Sequence, residues 1–255
     1  MAGKSIMDYT WEIYTKNIWL ILVASVPGLF GMILPIIVGM INPADPVYIA
    51  LGGAYLRTGS IVDLTPVDSG IMIASLLISL YLMSFAIVGI NLVVKRQRTL
   101  KGLTLEEIKA ITKHTNSVFM IFLIATILLL LIQLITYEYQ IQKYLAPLLN
   151  LIVGLGLLFL PTAMVMDEVR PFRAMQRSFS IIRKKPSLVL LWMVVALMLL
   201  SIVDVIVLFV VNSVPFIPHV IGPLIVIAFN SLIILPYLIV MLAQIYISKY
   251  TILVD

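Results

Sequence analysis

The sequence predicts an all-α polytopic membrane protein, with six transmembrane helices, three short cytoplasmic amphipathic helices and both termini in the cytoplasm. Three observations lead there. The chain is 62% hydrophobic and only 11% charged, where a soluble domain carries roughly 45–50% apolar and about 25% charged residues. Its mean hydropathy is +1.14, and the apolar residues gather into six runs of roughly 20 residues or more, enough to cross a hydrocarbon core. Finally, the lysines and arginines fall between alternate runs, as membrane topology requires.

Taken in order, Ser5 to Lys16 reads as an amphipathic helix with Ile6, Tyr9 and Ile13 on one side, and Ser5 with Asp8 has the spacing of a capping box. Span 1 covers residues 17–41 and contains Pro27 and Pro35, each of which removes a helical donor, so it is expected to be kinked and packed against neighbours. The loop from Asn42 to Ser69 holds an apolar middle, Val47 to Val62, that is shorter than the roughly 20 residues of a span and reads as an interfacial or re-entrant helix. Span 2 covers 70–94. A basic cluster follows at Lys95, Arg96, Arg98 and Lys101, and Thr104 with Glu107 then opens a second amphipathic helix to His114. Spans 3 and 4 cover 117–137 and 145–166, with Tyr137, Tyr139 and Tyr144 at the turn between them as an interfacial belt. Spans 5 and 6 cover 188–212 and 220–247. The whole chain, 1–255, is read as one membrane domain, because the spans leave no room for a soluble domain of about 100 residues.

The stretch Pro161 to Trp192 organises these elements. It leaves span 4 through a proline, passes Asp167 and Glu168, and spells a basic amphipathic helix before span 5. On a helical wheel Phe172, Met175, Phe179 and Ile182 fall within about 80°, while Arg170, Arg173, Arg177, Ser180 and Lys184 lie opposite. That pattern predicts a helix lying on a membrane surface, its cations toward headgroups.

Of the 17 lysines and arginines, all but Arg57 and Lys143 fall on the side of the termini. The positive-inside rule makes that side cytoplasmic. The three amphipathic segments, Ser5 to Lys16, Thr104 to His114 and Pro171 to Lys185, each precede a pair of spans. Either an ancient repeat or the general basicity of cytoplasmic loops explains that recurrence.

Pro161, Glu168, Pro171, Ala174, Arg177, Ser178, Lys184, Lys185 and Trp192, with Pro236, Tyr246 and Tyr250 in the last span, give the chain a resemblance to a known group. It resembles a family of six-span integral membrane proteins related to the membrane domain found beside some glycerophosphodiester phosphodiesterases. Pro186 and the ending IYISKY depart from that pattern. The resemblance implies a membrane protein without the soluble phosphodiesterase domain, and it brings no catalytic residues.

Few residues offer chemistry. Asp204 is the carboxylate deep within a span, roughly 6 Å beyond the midplane at 1.5 Å per residue. It is either a proton or cation site or a hydrogen-bonded packing residue, with Arg57 as one conceivable partner. Asn91, Gln133, Asn150, Asn230 and Gln244 are expected to hydrogen-bond between helices, and Pro161 and Pro236 to set kinks. His114 and His219 fall on opposite sides, so they cannot share a metal. With no cysteine in the chain, disulfides and thiolate ligands are excluded. No HExxH, GxSxG or phosphate-binding loop is present. The acidic pairs Glu106–Glu107 and Asp167–Glu168 read as helix-end electrostatics.

The net charge of +5 therefore points to anionic headgroups rather than nucleic acid, with Arg170, Arg173, Arg177 and Lys184 as the candidate lipid- or partner-binding surface. The expected function is non-catalytic, without metal or cofactor: a lipid-facing scaffold or an accessory subunit to a protein partner in the cell membrane. A small transporter or channel built around Asp204 is the alternative. A membrane enzyme using Asp167 and Glu168 comes third.

Overall fold

The computed structural model describes residues 5–38, 66–97, 104–139, 142–213 and 221–248. Among them there is no strand. The expected helix over Val47 to Val62, Arg57, His219 and the IYISKY ending from Lys249 onward lie outside the described residues. Six helical segments are long and apolar enough to cross a membrane, and they coincide with the six expected runs.

Helix α1 (Ile6–Lys16) starts at the expected capping box, with the Asp8 amide donating to Ser5 Oγ at 3.2 Å and the Ser5 amide to Asp8 Oδ2 at 3.0 Å. Its buried face differs from the expected one. Thr10 and Tyr14 are buried and Tyr9 is exposed, because α1 packs on the last span rather than facing lipid. Thr10 Oγ1 satisfies itself on the Ile6 carbonyl at 2.8 Å, so burying it leaves no orphan group.

Helix α2 (Ile18–Ile37) runs through both Pro27 and Pro35 and packs antiparallel on α3 (Pro66–Lys95). Small residues bring the two backbones together. A Cβ on Gly31 would stand 2.9 Å from the Ser79 carbonyl oxygen, a backbone atom that cannot yield. Close approach of this kind is how membrane helices gain packing energy where lipid is as apolar as leucine.

Helix α4 (Leu105–Glu138) has 34 residues, about 51 Å at 1.5 Å per residue. The second amphipathic segment is thus the first turns of the span-3 helix, not a separate helix. Glu107 reaches back to its start, with the Thr104 amide and hydroxyl donating to Glu107 Oε2 at 2.7 and 2.8 Å, one half of the expected capping box.

Span 4 is two helices, α5 (Gln142–Leu158) and α6 (Leu160–Asp167), broken at Phe159. The break lies two residues before Pro161, whose ring removes a donor and crowds the preceding turn. Helix α7 (Pro171–Lys184) follows, then α8 (Pro186–Asn212). Span 6 consists of α9 (Ile221–Phe229), a π-helical segment (Asn230–Ile234) and α10 (Leu235–Ile247). Pro236 cannot donate to the carbonyl four residues earlier, and the wider π turn immediately before it absorbs the mismatch. Tyr14 of α1 donates to the Ile233 carbonyl at 3.3 Å, tying α1 to this segment.

The core is not centred along the spans. The largest buried cluster joins Leu92 of α3, Ile111 and Val118 of α4, Phe159 and Met164 around the span-4 break, Ile181 of α7 and Tyr246 of α10. It lies at the end of the bundle where α3, α6 and α10 finish. We call this the basic end. Toward the other end Leu131, Leu134 and Ile135 of α4 and Val205 and Phe209 of α8 are exposed, as lipid-facing side chains are.

Candidate functional site

The corner between α6 and α7 holds the basic end together, and its polar groups, with those that follow at the start of α8, reach across to other helices. Asp167, the last residue of α6, pairs with Arg177 of α7 and accepts a 2.6 Å hydrogen bond from the buried Tyr246 hydroxyl of α10. Ser178 accepts from the Phe159 amide at 3.2 Å and donates to the Leu155 carbonyl at 3.0 Å. Its hydroxyl therefore occupies the gap that the span-4 break opens in the helical ladder. Lys185 donates to Ser248 O and Oγ at 2.8 and 2.9 Å, and Trp192 Nε1 donates to the Leu238 carbonyl at 3.0 Å. A cation on the last carbonyls of α10 also opposes the negative end of that helix.

Glu168 takes the left-handed conformation, φ 53°, ψ 34°, and caps α6. For a residue with a Cβ this costs about 1–2 kcal/mol. Its Oε1 lies 2.7 Å from Lys95 Nζ, which also donates to the Val165 carbonyl at 2.8 Å. Hydrogen bonding to Lys95 first, and its charge second, hold the Glu168 carboxyl below the ordinary glutamate range.

Beside this bridge lies a cavity of about 450 Å³, within the usual size of small-ligand pockets. Lys95 and Arg96 from the end of α3, Lys113 and His114 from α4, and Glu168 and Arg170 from the α6–α7 corner line it, over a floor of Leu92 and Met164. A neighbouring hollow of about 460 Å³ shares Glu168 and Arg170 and adds Arg173. A third, of about 520 Å³, lies along α7 beside Phe179, Arg183 and Lys184.

The four cations expected to form one surface are divided. Arg170, Arg173 and Lys184 are exposed, while Arg177 turns inward to Asp167. Phe172 and Phe179, expected on the membrane-facing side of the helix, are 66% and 39% exposed, and the face turned to the bundle is Ala174, Ser178 and Ile181. Sequence reasoning missed the cavity because its cations come from three distant places in the chain. The available signal was that Lys95–Arg96, Lys113–His114 and Arg170 all stand at span ends on one side.

Asp204 is partly buried on α8, and its Oδ1 accepts a 3.1 Å hydrogen bond from Asn230 Nδ2, the first residue of the π-helical segment. Leu200 and Ile234 are buried close by, and Val205 and Ile206 next to it are exposed. Of the span amides, Asn230 makes the expected interhelical bond. Asn91 instead donates to the Ile87 carbonyl of its own helix at 2.8 Å. Among the described residues no group of three or more acidic or histidine side chains is placed to hold a metal.

Fold and site define a multi-pass α-helical membrane protein. No family model, curated protein or solved structure matches the chain.

Proposed function

We propose that the protein is a non-catalytic integral membrane protein, a scaffold or accessory subunit whose basic end faces the cytoplasm and holds anionic lipid headgroups. The observation that carries this reading is the surface of α7. It exposes Phe172 and Phe179 beside Arg173, Arg183 and Lys184, at the same end of the bundle as Lys95, Arg96 and Lys113. Aromatics that enter the interface next to cations that meet headgroups are what an interfacial helix needs. Each cation near an anionic surface contributes about 1 kcal/mol. The test is to reconstitute the full chain in nanodiscs of mixed neutral and anionic phospholipid and to measure the lipids that stay bound on extraction. Enrichment of anionic lipid that fades with salt is expected. A bound fraction matching the bulk mixture would sink the reading.

A transport role is the second reading, supported by the Asp204–Asn230 bond at a π-helical segment. Such segments recur at functional sites, and a carboxylate within a span is expensive to keep. Proton or cation flux into liposomes, compared with Asp204→Asn, tests it; unchanged flux removes Asp204 from any pathway.

A further inference from the structure

We infer that the cavity between α3, α4 and the α6–α7 corner is a receptor for one phosphomonoester group, with Glu168 as an internal counter-ion that the ligand displaces. This rests on the proposal that the basic end meets anionic headgroups, and it names the chemistry that one site selects.

The charge balance selects the ligand. Lys95, Arg96, Lys113 and Arg170 surround the cavity and Glu168 is the one carboxylate lining it, so three positive charges remain in excess. Arg96 is partly offset by Glu107, 4.0 Å away. The side chains of Lys113 and Arg170 make no ion pair or hydrogen bond among the described residues. A phosphodiester brings a single negative charge. A phosphomonoester brings about 1.5 to 2 near neutral pH, with three strong acceptor oxygens, and matches the excess better.

Shape agrees with charge. A volume of about 450 Å³ exceeds what a bare phosphate fills, so it admits the polyol or glycerol that carries the phosphate. The floor of Leu92 and Met164, with Ala110 and Pro171 at the sides, suits that less polar part. Ser117 also lines the cavity, and it is the residue at which span 3 begins by composition. The cavity thus extends from the cationic rim to the start of the uncharged part of α4, the level at which that helix would meet the phosphates of the interface.

Glu168 supplies the means of exchange. Its side chain is 70% exposed, so it can swing into solvent while Lys95 keeps its bond to the Val165 carbonyl. An incoming phosphate then takes the Lys95 direction that Glu168 held. The vacant site keeps its charge partly compensated and the filled site replaces one anion with a stronger one.

The experiment uses the full chain in phosphatidylcholine nanodiscs, titrated with a diacylglycerol phosphate or with phosphatidylglycerol and read by native mass spectrometry. A single saturable diacylglycerol phosphate is expected, with phosphatidylglycerol weaker. Lys113→Gln with Arg170→Gln weakens it about tenfold or more. Lys16→Gln with Lys109→Gln, the same charge change at exposed positions outside the cavity, leaves it unchanged. Glu168→Gln tightens binding, a gain that a misfolded variant cannot produce. Soluble glycerol phosphate competing at the same residues would support the site and assign its ligand to the aqueous phase. Equal weakening by both double variants overturns the receptor while leaving general headgroup binding intact. Absence of any anionic preference overturns both.

Discussion

The Ser178 hydroxyl stands in place of the backbone hydrogen bond that the Phe159 amide would give to Leu155. It accepts from Phe159 at 3.2 Å and donates to Leu155 O at 3.0 Å, and it is fully buried. The break in span 4 is therefore satisfied by a side chain from another helix. In a membrane interior no water can do the same. Ser178→Ala leaves a buried donor and acceptor without partners and is expected to cost about 1–3 kcal/mol. Thermal unfolding in detergent measures it, with Ser180→Ala, on the same helix but only half-buried, as the comparison. Equal midpoints for the two variants would show that the ladder recloses by itself.

Asp167 is shared by two helices, paired with Arg177 of α7 and bonded to Tyr246 of α10. Tyr246→Phe removes a hydrogen bond to a charged acceptor and is expected to cost about 1.5–3 kcal/mol. Arg177→Gln should destabilise clearly, whereas Arg173→Gln, one turn earlier and exposed, should stay within about 0.5 kcal/mol. A double-mutant cycle between Asp167→Asn and Arg177→Gln should show coupling. Additive losses would mean that the two side chains act independently.

These contacts explain why the arrangement of spans was legible and the local roles were not. Six apolar runs of spanning length leave little choice of fold, and the observed helices follow them. The periodicity of Pro171–Lys184 correctly announced an amphipathic helix, but a wheel sends every arginine to the polar side. Arg177 turns inward because Asp167, ten residues earlier on a different helix, faces it across the corner, and no periodicity encodes that. Tyr9, expected on the apolar side with Ile6 and Ile13, is exposed while Thr10 is buried, for a related reason. Against another span, a threonine that bonds its own helix packs closely, and an aromatic is free to face outward. Pro161 and Pro236 marked the breaks in spans 4 and 6. Their form, a gap bridged by Ser178 in one and a π turn in the other, depends on neighbours. The cavity escaped notice because it exists only once the ends of α3, α4 and α6 meet.

The Lys95–Glu168 bridge gives a pH signature with a fixed sign. Glu168 titrates in the folded protein below its ordinary value of 4.5, so the bridge stabilises fully above that value. It is lost as pH falls through the lowered folded value. The stability difference between the natural chain and Glu168→Gln should be largest near neutral pH and shrink as the medium is acidified below the ordinary glutamate range. Because the carboxylate is largely exposed, the difference should be small and reduced by salt. A difference that grows on acidification would contradict the assigned pair.

Asp204 and Asn230 should act as a unit of modest worth. Interhelical hydrogen bonds in membranes average about 0.6 kcal/mol, so Asn230→Ala should cost little more than its packing. Asp204→Asn keeps an acceptor for Asn230 Nδ2 and should unfold within about 1 °C of the natural chain, the shift that a few tenths of a kcal/mol produces. Asp204→Lys introduces a like donor opposite Asn230 and should destabilise strongly. Similar midpoints for the Asn and Lys variants would show that the 3.1 Å bond contributes nothing in the membrane.

The orientation can be tested with unusual cleanness because the chain contains no cysteine. Arg173 is exposed on α7 at the basic end. Tyr139 is exposed just past the end of α4, and that helix is about 51 Å long against a hydrocarbon core of about 30 Å. The two positions therefore lie on opposite sides of the bilayer if α4 spans it. Under the proposed orientation, with the basic end in the cytoplasm, a membrane-impermeant maleimide added outside intact cells should label Tyr139→Cys and spare Arg173→Cys. Permeabilised cells should label both. Labelling of Arg173→Cys from outside would invert the orientation and place the cationic cavity on the external face. Labelling of both from outside would mean that α4 does not cross the membrane.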